Sequence, residues 1–401
     1  MHSRSTRLSL PAILATASAA AGAAAGAAAG VRASSLTPAQ SATPGQTLFA
    51  AYSGYPPCFR QPLIVSLPGA PAGRLVAFAE GRNNSYCSGS ADGSNSSIHS
   101  RYSTDGGATW SPPLELLHAP PQPDYLSAIA TASGAVHLFV QSAPNLQLTS
   151  RDGGATWSAP APIKVAVPAG YTATPGVASG IALDGALCAE PTCGGAAGRL
   201  VVAWVCHKAK APGTARRVGD VSCVGCFSCL ATSDDDGATW TISAVTTQEG
   251  SREAALAQLA AAAVPGAAGA VIYASERNMG AAPGARWHAI SRDSGASFSA
   301  FGTDPTLPDG MTRNWTGICA GLARIGDTLL FSTPMATGAR ADLALYRSAD
   351  EGASWSAGAL FASGPAGYSD MTAINKTHAA IIFENGADEF AQQINFAVVA
   401  V

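Results

Sequence analysis

The chain has 401 residues, 47% of them hydrophobic and 12% charged, so it can bury a large core and form one large domain or two ordinary ones. Its formal net charge of -3 provides no general field that attracts polyanions, so nucleic acid is not an expected partner. If the ligand is an anion, local arginines must hold it.

Residues 1–42 have the features of a cleavable targeting segment. Arg4 and Arg7 precede a short apolar stretch, an Ala/Gly-rich run follows, and the segment contains no acidic residue. Pro11 interrupts the apolar part, so we expect no stable membrane span. A secretory signal leading to secretion or to a lysosomal or endomembrane lumen is our first interpretation, and an organellar transit peptide is the alternative. Residues 43–401 are then one folded domain.

Nine unevenly spaced cysteines favour disulfides over a metal site. Cys188 and Cys193 flank a four-residue turn, as the ends of a small disulfide loop do. The Cys-x-x-Cys-x-x-Cys run at 223–229 leaves a zinc fragment as an alternative, with His207 as a candidate further ligand. The odd count leaves at least one thiol without an intramolecular partner. We expect no metal and no cofactor.

One eight-residue pattern, Ser-x-Asp-x-Gly-x-Thr/Ser-Trp/Phe, occurs five times, which is not a chance event. The copies start at Ser103, Ser150, Ser233, Ser291 and Ser348. The Asp and Ser side chains are suited to bond their own backbone, Gly supplies a positive φ, and the aromatic residue fills a core position. Each copy therefore predicts a hairpin turn, and its aspartate is structural rather than catalytic.

The segments between the copies have the alternation of short strands, and helical periodicity is nearly absent. Examples are the runs at 199–204, 328–332 and 379–383. Successive copies lie about 47 to about 83 residues apart, which suits one four-stranded propeller blade for each copy, with insertions. The sequence therefore predicts an all-β propeller.

This repeat resembles the Asp-box propellers, and especially the sialidase family, which implies six blades and a site at the central mouth. No sixth copy is visible. Pairing of the strand-like ends at 49–52 and 394–399 would close the ring.

Three arginines next to apolar strands resemble the arginine triad of that family, which grips the carboxylate of the substrate. Arg60 lies in Cys-Phe-Arg-Gln-Pro, which is similar to the family's Phe/Tyr-Arg-Ile-Pro and departs from it at Gln61. Arg277 follows the run at 272–276, and Arg340 stands eight residues before the Asp-box Ser348. Taken singly, each would read as an ordinary salt-bridge residue.

Two further candidates lie between Arg60 and the first Asp box. The segment at 77–82 is similar to the family's Ala-Phe-Ala-Glu-Gly-Arg strand, which implies that Arg82 orients the catalytic loop or contacts substrate. Asp92 precedes Ser103 by eleven residues, as the family's acid/base aspartate does, and taken alone it would read as a turn-forming Asp-Gly. The loop before Asp92 is longer than is usual for the family.

The second half of the chain supplies the remaining candidates. Glu253 resembles the glutamate of the family's Asn-Glu-x-x-Val-x-Glu-Leu element, with Gln258 in place of the second acid. Tyr368, in Gly-Tyr-Ser-Asp, resembles the family's nucleophile, and Glu384, in Phe-Glu-Asn-Gly, resembles the glutamate that supports the first arginine.

This set is chemically coherent. The anomeric carbon of a sialoside already bears a carboxylate, so an anionic nucleophile would be repelled whereas a neutral phenol can approach and be deprotonated by Glu253. Asp92 would protonate the leaving oxygen and then activate water, which gives retention. The resemblance thus implies an exo-α-sialidase that acts on sialylated glycoproteins, glycolipids or oligosaccharides. We expect a monomer. The alternatives are a trans-sialidase, a hydrolase for another nonulosonic acid, or a non-catalytic sialoside-binding propeller.

The residues around 123–129 match the segment that forms the N-acetyl pocket of the family only weakly.

Overall fold

The structure, a computed structural model, describes residues 45–50, 58–69, 73–82, 96–118, 125–188, 193–208, 223–279, 284–309 and 317–401. The targeting segment predicted at 1–42 and Asp92 lie outside the described residues. No helix in the described ranges has the length and apolar character needed to cross a bilayer.

Within these ranges the chain forms 26 strands, three single-turn 3₁₀ helices and no α-helix, so it is all-β as predicted. The strands are β1 Gln46–Ala50, β2 Cys58–Ser66, β3 Leu75–Arg82, β4 Ser96–Ser103, β5 Leu114–His118, β6 Leu126–Ala130, β7 Val136–Val140, β8 Leu146–Ser150, β9 Ala161–Pro162, β10 Val165–Ala166, β11 Tyr171–Pro175, β12 Ala178–Ser179, β13 Ile181–Ala182, β14 Leu200–Lys208, β15 Cys226–Ser233, β16 Trp240–Val245, β17 Ser251–Leu259, β18 Val271–Asn278, β19 Ala285–Ser291, β20 Ala300–Pro308, β21 Gly321–Ile325, β22 Thr328–Pro334, β23 Ala341–Ser348, β24 Ala359–Ala373, β25 His378–Asn385 and β26 Gln393–Ala400. The 3₁₀ helices are Gly185–Leu187, Cys193–Gly195 and Ala261–Ala263.

The strands form five mainly antiparallel sheets in a propeller-like arrangement. Two sheets have four strands each, in the orders β2-β3-β4-β5 and β17-β18-β19-β20. A third contains β12 and β6 to β9, and a fourth contains β10, β11 and β13 to β16. The fifth has seven strands in the order β1-β26-β25-β24-β23-β22-β21.

Both ends of the described chain lie in the seven-stranded sheet. The first strand, β1, pairs antiparallel with the last, β26, as expected from the strand-like ends. The long strand β24 pairs with β23 through its first half and with β25 through its second half. Strands of different sheets meet side by side, with β2 against β6 and β24, and β17 against β12 and β21. These contacts bring the candidate residues on β2, β17 and β24 together.

All five repeats form the predicted turns. The turns connect β4 to β5, β8 to β9, β15 to β16, β19 to β20 and β23 to β24. In the first copy, Asp105 Oδ1 accepts hydrogen bonds from Ser103 Oγ at 2.8 Å and from Thr109 N at 2.9 Å. The Gly107 N–H donates to Ser103 Oγ at 2.9 Å. These bonds to the charged form, first of all those from Thr109, lower the pKa of Asp105 to about 2. The box aspartates are fully used by the turn, as expected.

The boxes lie at the opposite end of the strands from the candidate site residues. On β3, Leu75 pairs with the box residue Ser103, whereas Arg82 pairs with Cys58 and Ser96 at the other end. The same polarity holds on β18, where Ile272 is opposite Ser291 and Asn278 is opposite Ser251.

The described cysteines are paired almost completely. Disulfides join Cys188 to Cys193, as the short turn predicts, Cys206 to Cys229, and Cys223 to Cys226. Cys58 is also disulfide-bonded, and Cys319 is a buried free thiol. The structure therefore places the cysteines of the 223–229 run in two disulfides and not in the zinc fragment that was the alternative.

Candidate active site

Local irregularities in the strands aim the candidate side chains. The ladder of β2 slips between Arg60 and Leu63, where Gln61 has a φ of 56°. The ladder of β17 slips between Arg252 and Ala255, and Glu253 has a φ of 47°. The ladder of β24 slips around Tyr368, between 366 and 369. β-Bulges re-aim side chains and are common beside functional sites. The three bulges lie at Arg60, Glu253 and Tyr368, and the side chains of these residues belong to one cluster around Tyr368.

The ring of Tyr368 is surrounded by the three predicted arginines. The guanidinium carbons of Arg60 and Arg340 each lie 5.1 Å from the ring centroid, and that of Arg277 lies 5.9 Å from it. These distances are in the range of cation–π contacts. The structure thus brings together residues that are up to 308 positions apart in the sequence, from Arg60 to Tyr368.

Arg277 joins the predicted nucleophile to the predicted base. Its Nη1 donates to the Tyr368 hydroxyl oxygen at 2.8 Å and to Glu253 Oε2 at 2.5 Å. Burial on its own would raise the pKa of Glu253, but the charges of Arg277 and Arg252 outweigh it and lower this pKa to about 2. Burial raises the pKa of Tyr368 above its ordinary value, although the neighbouring arginines oppose this. Glu253 is therefore a carboxylate and Tyr368 a neutral phenol at neutral pH.

Glu384 supports the site from β25. Its Oε1 accepts from Arg60 Nε at 2.6 Å and from the Gln61 backbone N–H at 3.0 Å. Its Oε2 accepts from the Tyr368 backbone N–H at 2.9 Å. The carboxylate is fully buried and fixes both the first arginine and the backbone that carries the tyrosine.

Arg340 differs from the other two arginines because it makes no ion pair or side-chain hydrogen bond with any residue in the described ranges. Its half-buried guanidinium stacks between Tyr368 and Phe390, whose ring centroid is 5.0 Å away. Burial, and then repulsion by Arg60 and Arg277, lowers the pKa of Arg340. An arginine in such a position is stabilised by an anion that brings hydrogen-bond acceptors.

The remaining two predicted residues are Arg82 and Asp92. Arg82 is buried at the end of β3, and its Nη2 lies 2.9 Å from Glu80 Oε2. The register of β2 and β3 places Glu80 opposite Arg60 and Arg82 opposite Cys58, so the Arg82–Glu80 pair lies on the strand next to the first arginine. The position of Asp92 is not among those described, and its role stays a prediction.

Sequence reasoning missed several residues of the site. Phe390 stacks on Arg60 and Arg340, 5.0 Å from each guanidinium carbon. Asp370, two residues after Tyr368, accepts hydrogen bonds from Ile64 N at 2.9 Å and from Ser179 Oγ, and so ties β24 to β2 and β12. Burial raises the pKa of Asp370 to about 6. The Gly-Tyr-Ser-Asp segment contained this aspartate, but nothing in the segment indicated its partners.

Arg252 is the other missed residue. It precedes Glu253, ion-pairs with Glu253 Oε1 at 3.2 Å, and stacks on the ring of Tyr125 with its guanidinium carbon 4.8 Å from the centroid. Tyr125 belongs to the segment that matched the N-acetyl pocket weakly. An arginine at this position replaces the asparagine of the family element, and that departure was the available signal.

The fold is a propeller with Asp-box turns. A cluster of arginines surrounds a tyrosine at the opposite end of the strands. These two features define the protein as an Asp-box propeller. The BNR repeat-like domain family matches residues 73–381, and the chain belongs to that family. No match was found among curated protein sequences.

Solved structures share the fold at low sequence identity. The Hadza microbial sialidase Hz136 is 20% identical with a TM-score of 0.64, over 86% of this chain and 66% of that one, just under two thirds of its length. An intramolecular trans-sialidase from Ruminococcus gnavus is 13% identical with a TM-score of 0.62, over 88% and 97% of the two chains. A protein of unknown function from Dyadobacter fermentans is 15% identical with a TM-score of 0.63, over 89% and 100%. The propeller fold is thus the one that sialidases have.

Proposed function

We propose that this protein is an exo-α-sialidase that releases terminal sialic acid from glycoconjugates with retention, through Tyr368 as the nucleophile. The observation that carries the proposal is the stacking of the Arg340 guanidinium, which has no ion pair within the described part of the chain, on Tyr368 beside Arg60 and Arg277. Three guanidinium groups around one phenol form a receptor for a carboxylate that is attached close to the reacting carbon. A sialoside has its carboxylate on the anomeric carbon itself.

The contacts of Arg277 suggest how the base becomes active. Its Nη1 holds both Glu253 and the Tyr368 hydroxyl, and a carboxylate with a pKa of about 2 is a weak base. When the substrate carboxylate binds Arg277, that arginine is drawn from Glu253, whose affinity for protons then rises because the carboxylate is buried. Glu253 takes the phenolic proton as the Tyr368 oxygen bonds to the anomeric carbon. Substrate binding thereby activates its own nucleophile.

The leaving oxygen needs a proton donor on the other side of the sugar, and we assign this role to Asp92 from its spacing before the first Asp box. The same carboxylate then activates the water that releases sialic acid from Tyr368. Arg82 and Glu80 belong in this proposal to the support of Arg60 and of the loop that carries Asp92.

We also propose that the propeller has six blades. Four of the five sheets supply one blade each, and the seven-stranded sheet supplies two that share β24, because its first half pairs with β23 and its second half with β25.

Turnover of a fluorogenic α-sialoside between acidic and neutral pH tests the proposal. The wild type should release the fluorophore, and Tyr368→Phe should lower kcat by on the order of a thousandfold or more while remaining folded by circular dichroism. Tyr346→Phe is the matched control, since Tyr346 is also buried but lies on β23 among the hydrophobic residues. It should retain wild-type turnover.

The outcomes separate the alternatives. A wild type that binds sialyllactose without turnover is a sialoside-binding propeller, and full activity of Tyr368→Phe removes the tyrosine mechanism. Proton NMR of the first product reports retention as the α-anomer. Appearance of sialylated acceptor instead of free sugar identifies a trans-sialidase, and preference for a deaminated analogue identifies a hydrolase for another nonulosonic acid.

A further inference from the structure

Arg252 is a buried arginine at the edge of the site that the triad does not include. It is 8% exposed, and its three nitrogens face three different groups. Nε lies 3.2 Å from Glu253 Oε1, Nη2 contacts the Tyr125 hydroxyl, and Nη1 lies 3.8 Å from Cys223 Sγ. Each of its three nitrogens thus lies beside a protein group, and the contact of Nε with Glu253 Oε1 is an ion pair without hydrogen-bond geometry.

Two partners of Arg252 belong to sheets other than its own. Tyr125 precedes β6, the Cys223–Cys226 disulfide leads into β15, and Arg252 itself lies on β17. The Tyr125 ring stacks on the guanidinium at 4.8 Å. Arg252 is therefore held in one position by groups that do not belong to its own sheet.

Glu253 lies between two arginines that have different tasks. Arg277 contacts Oε2 and also the Tyr368 hydroxyl, whereas Arg252 contacts Oε1 and the Tyr125 hydroxyl. If Arg277 moves to the substrate carboxylate, Arg252 is the cation that stays on Glu253. Without it, a carboxylate that is only 1% exposed would take up a proton from solvent.

We infer that Arg252 is a positioning residue that keeps Glu253 ionised and oriented while Arg277 is engaged with substrate, and that Tyr125 and the Cys223–Cys226 loop hold Arg252 for this task. This inference rests on the proposed function, because it assigns Arg252 a part in the deprotonation of Tyr368. It predicts an effect on the pH range of activity, which a merely structural arginine would not have.

Other groups also act on the titration of Glu253. From β17 there is Arg252, from β18 Arg277, from β24 Tyr368, and from the segments before β23 and β21 the groups Arg340 and Cys319. Among the described residues, Arg252 and Arg277 are the two that form ion pairs with the carboxylate. Removal of Arg252 alone should therefore raise the pKa of Glu253 while the triad stays intact.

The test is the pH profile of kcat for the full chain. Arg252→Gln should move the acidic limb to higher pH by about one unit or more, since an adjacent opposite charge lowers a carboxyl pKa by roughly that amount. Arg252→Lys, which keeps the charge, should restore most of the limb. Tyr125→Phe, which keeps the ring and loses the hydroxyl, should give a smaller shift in the same direction. Arg324→Gln is the control, because it breaks an ion pair with Glu351 at 2.7 Å away from the site and should leave the profile unchanged.

An unchanged acidic limb in folded Arg252→Gln, or an equal shift in Arg324→Gln, overturns the inference. If Arg252→Gln does not fold, the acidic limb of Tyr125→Phe decides the question, with Arg252→Lys as the variant that keeps the charge. An unchanged limb in Tyr125→Phe then overturns the inference. If the wild type has no sialidase activity, the proposed function fails separately. The inference is then tested by ¹³C NMR of glutamate-labelled protein, with the Glu253 signal assigned by Glu253→Gln. In that case a Glu253 pKa that is equal in the wild type and in Arg252→Gln overturns it.

Discussion

The Glu384 carboxylate accepts a hydrogen bond from the backbone N–H of Tyr368 at 2.9 Å, although the two residues lie on different strands and 16 positions apart. Its other oxygen holds Arg60 at 2.6 Å. One buried acid therefore sets the distance between an arginine of the triad and the tyrosine that the triad surrounds.

Replacement of Glu384 by Gln should be costly for both stability and activity. The change keeps the size of the side chain but leaves Arg60 as a buried cation without its ion pair. We expect the free energy of unfolding to fall by about 3 kcal/mol or more, and KM for a sialoside to rise because Arg60 is no longer fixed. Urea denaturation and steady-state kinetics measure the two effects. Asp234→Asn, which breaks the more exposed pair with Arg199, should cost less than about 1 kcal/mol. Equal costs for the two variants would contradict this account.

Gly367 allows Glu384 to approach Tyr368. A Cβ at Gly367 would lie 2.2 Å from Glu384 Oε2 and 2.7 Å from the Phe390 ring, so Gly367→Ala must displace one of them. Because small displacements of catalytic groups are expensive, we expect kcat/KM to fall roughly a hundredfold. Gly364→Ala on the same strand is the control. It has a φ of +82° and no atom within 4 Å of the new Cβ, so it should lose some stability and little activity. The idea fails if both variants are equally active.

The buried carboxyl of Glu276 should make the protein less stable as the pH rises. This carboxyl is fully buried, and burial raises its pKa from 4.5 to about 8. A carboxyl whose pKa is higher in the folded state contributes stability that is complete below pH 4.5 and is lost as the pH rises to about 8. Glu276→Gln cannot ionise, so its stability relative to the wild type should increase by on the order of a few kcal/mol over this interval. Thermal unfolding across the pH range measures the difference. Asp327→Asn, a change at an exposed acid, should show none, and a flat difference for Glu276→Gln would mean that this carboxyl is ionised in the folded protein.

Much of the scaffold was predictable because its determinants are local. Every hydrogen bond of the first Asp-box turn lies within eight residues, so the pattern alone specified the turn and the role of Asp105. The short spacing of Cys188 and Cys193 likewise predicted their disulfide. The strand runs were placed to within a few residues, as at β22 and β25.

The candidate site was predictable only in part. Resemblance to the sialidase family named Arg60, Glu253, Arg277, Arg340, Tyr368 and Glu384, and the structure brings these six together. Phe390, Asp370 and Arg252 were missed because contacts that are remote in the sequence give them their place in the site, although Asp370 and Arg252 lie in segments that resemble the family. Arg252 and Tyr125, for example, are 127 positions apart.

The sequence by itself determined the repeating turn, the all-β class and the chemical types available for a site, since these follow from side chains that act on their own backbone and immediate neighbours. Resemblance implied that Glu384 supports Arg60, but only the tertiary structure decided the geometry: that Glu384 also holds the Tyr368 backbone, that Arg277 holds both Glu253 and Tyr368, and that Arg340 has no anionic partner in the described ranges. These contacts depend on how the sheets pack against one another and on bulges with positive φ at Gln61 and Glu253. The conformation of a bulge is stabilised by remote contacts, such as that of the Gln61 N–H with Glu384, which a linear pattern does not contain.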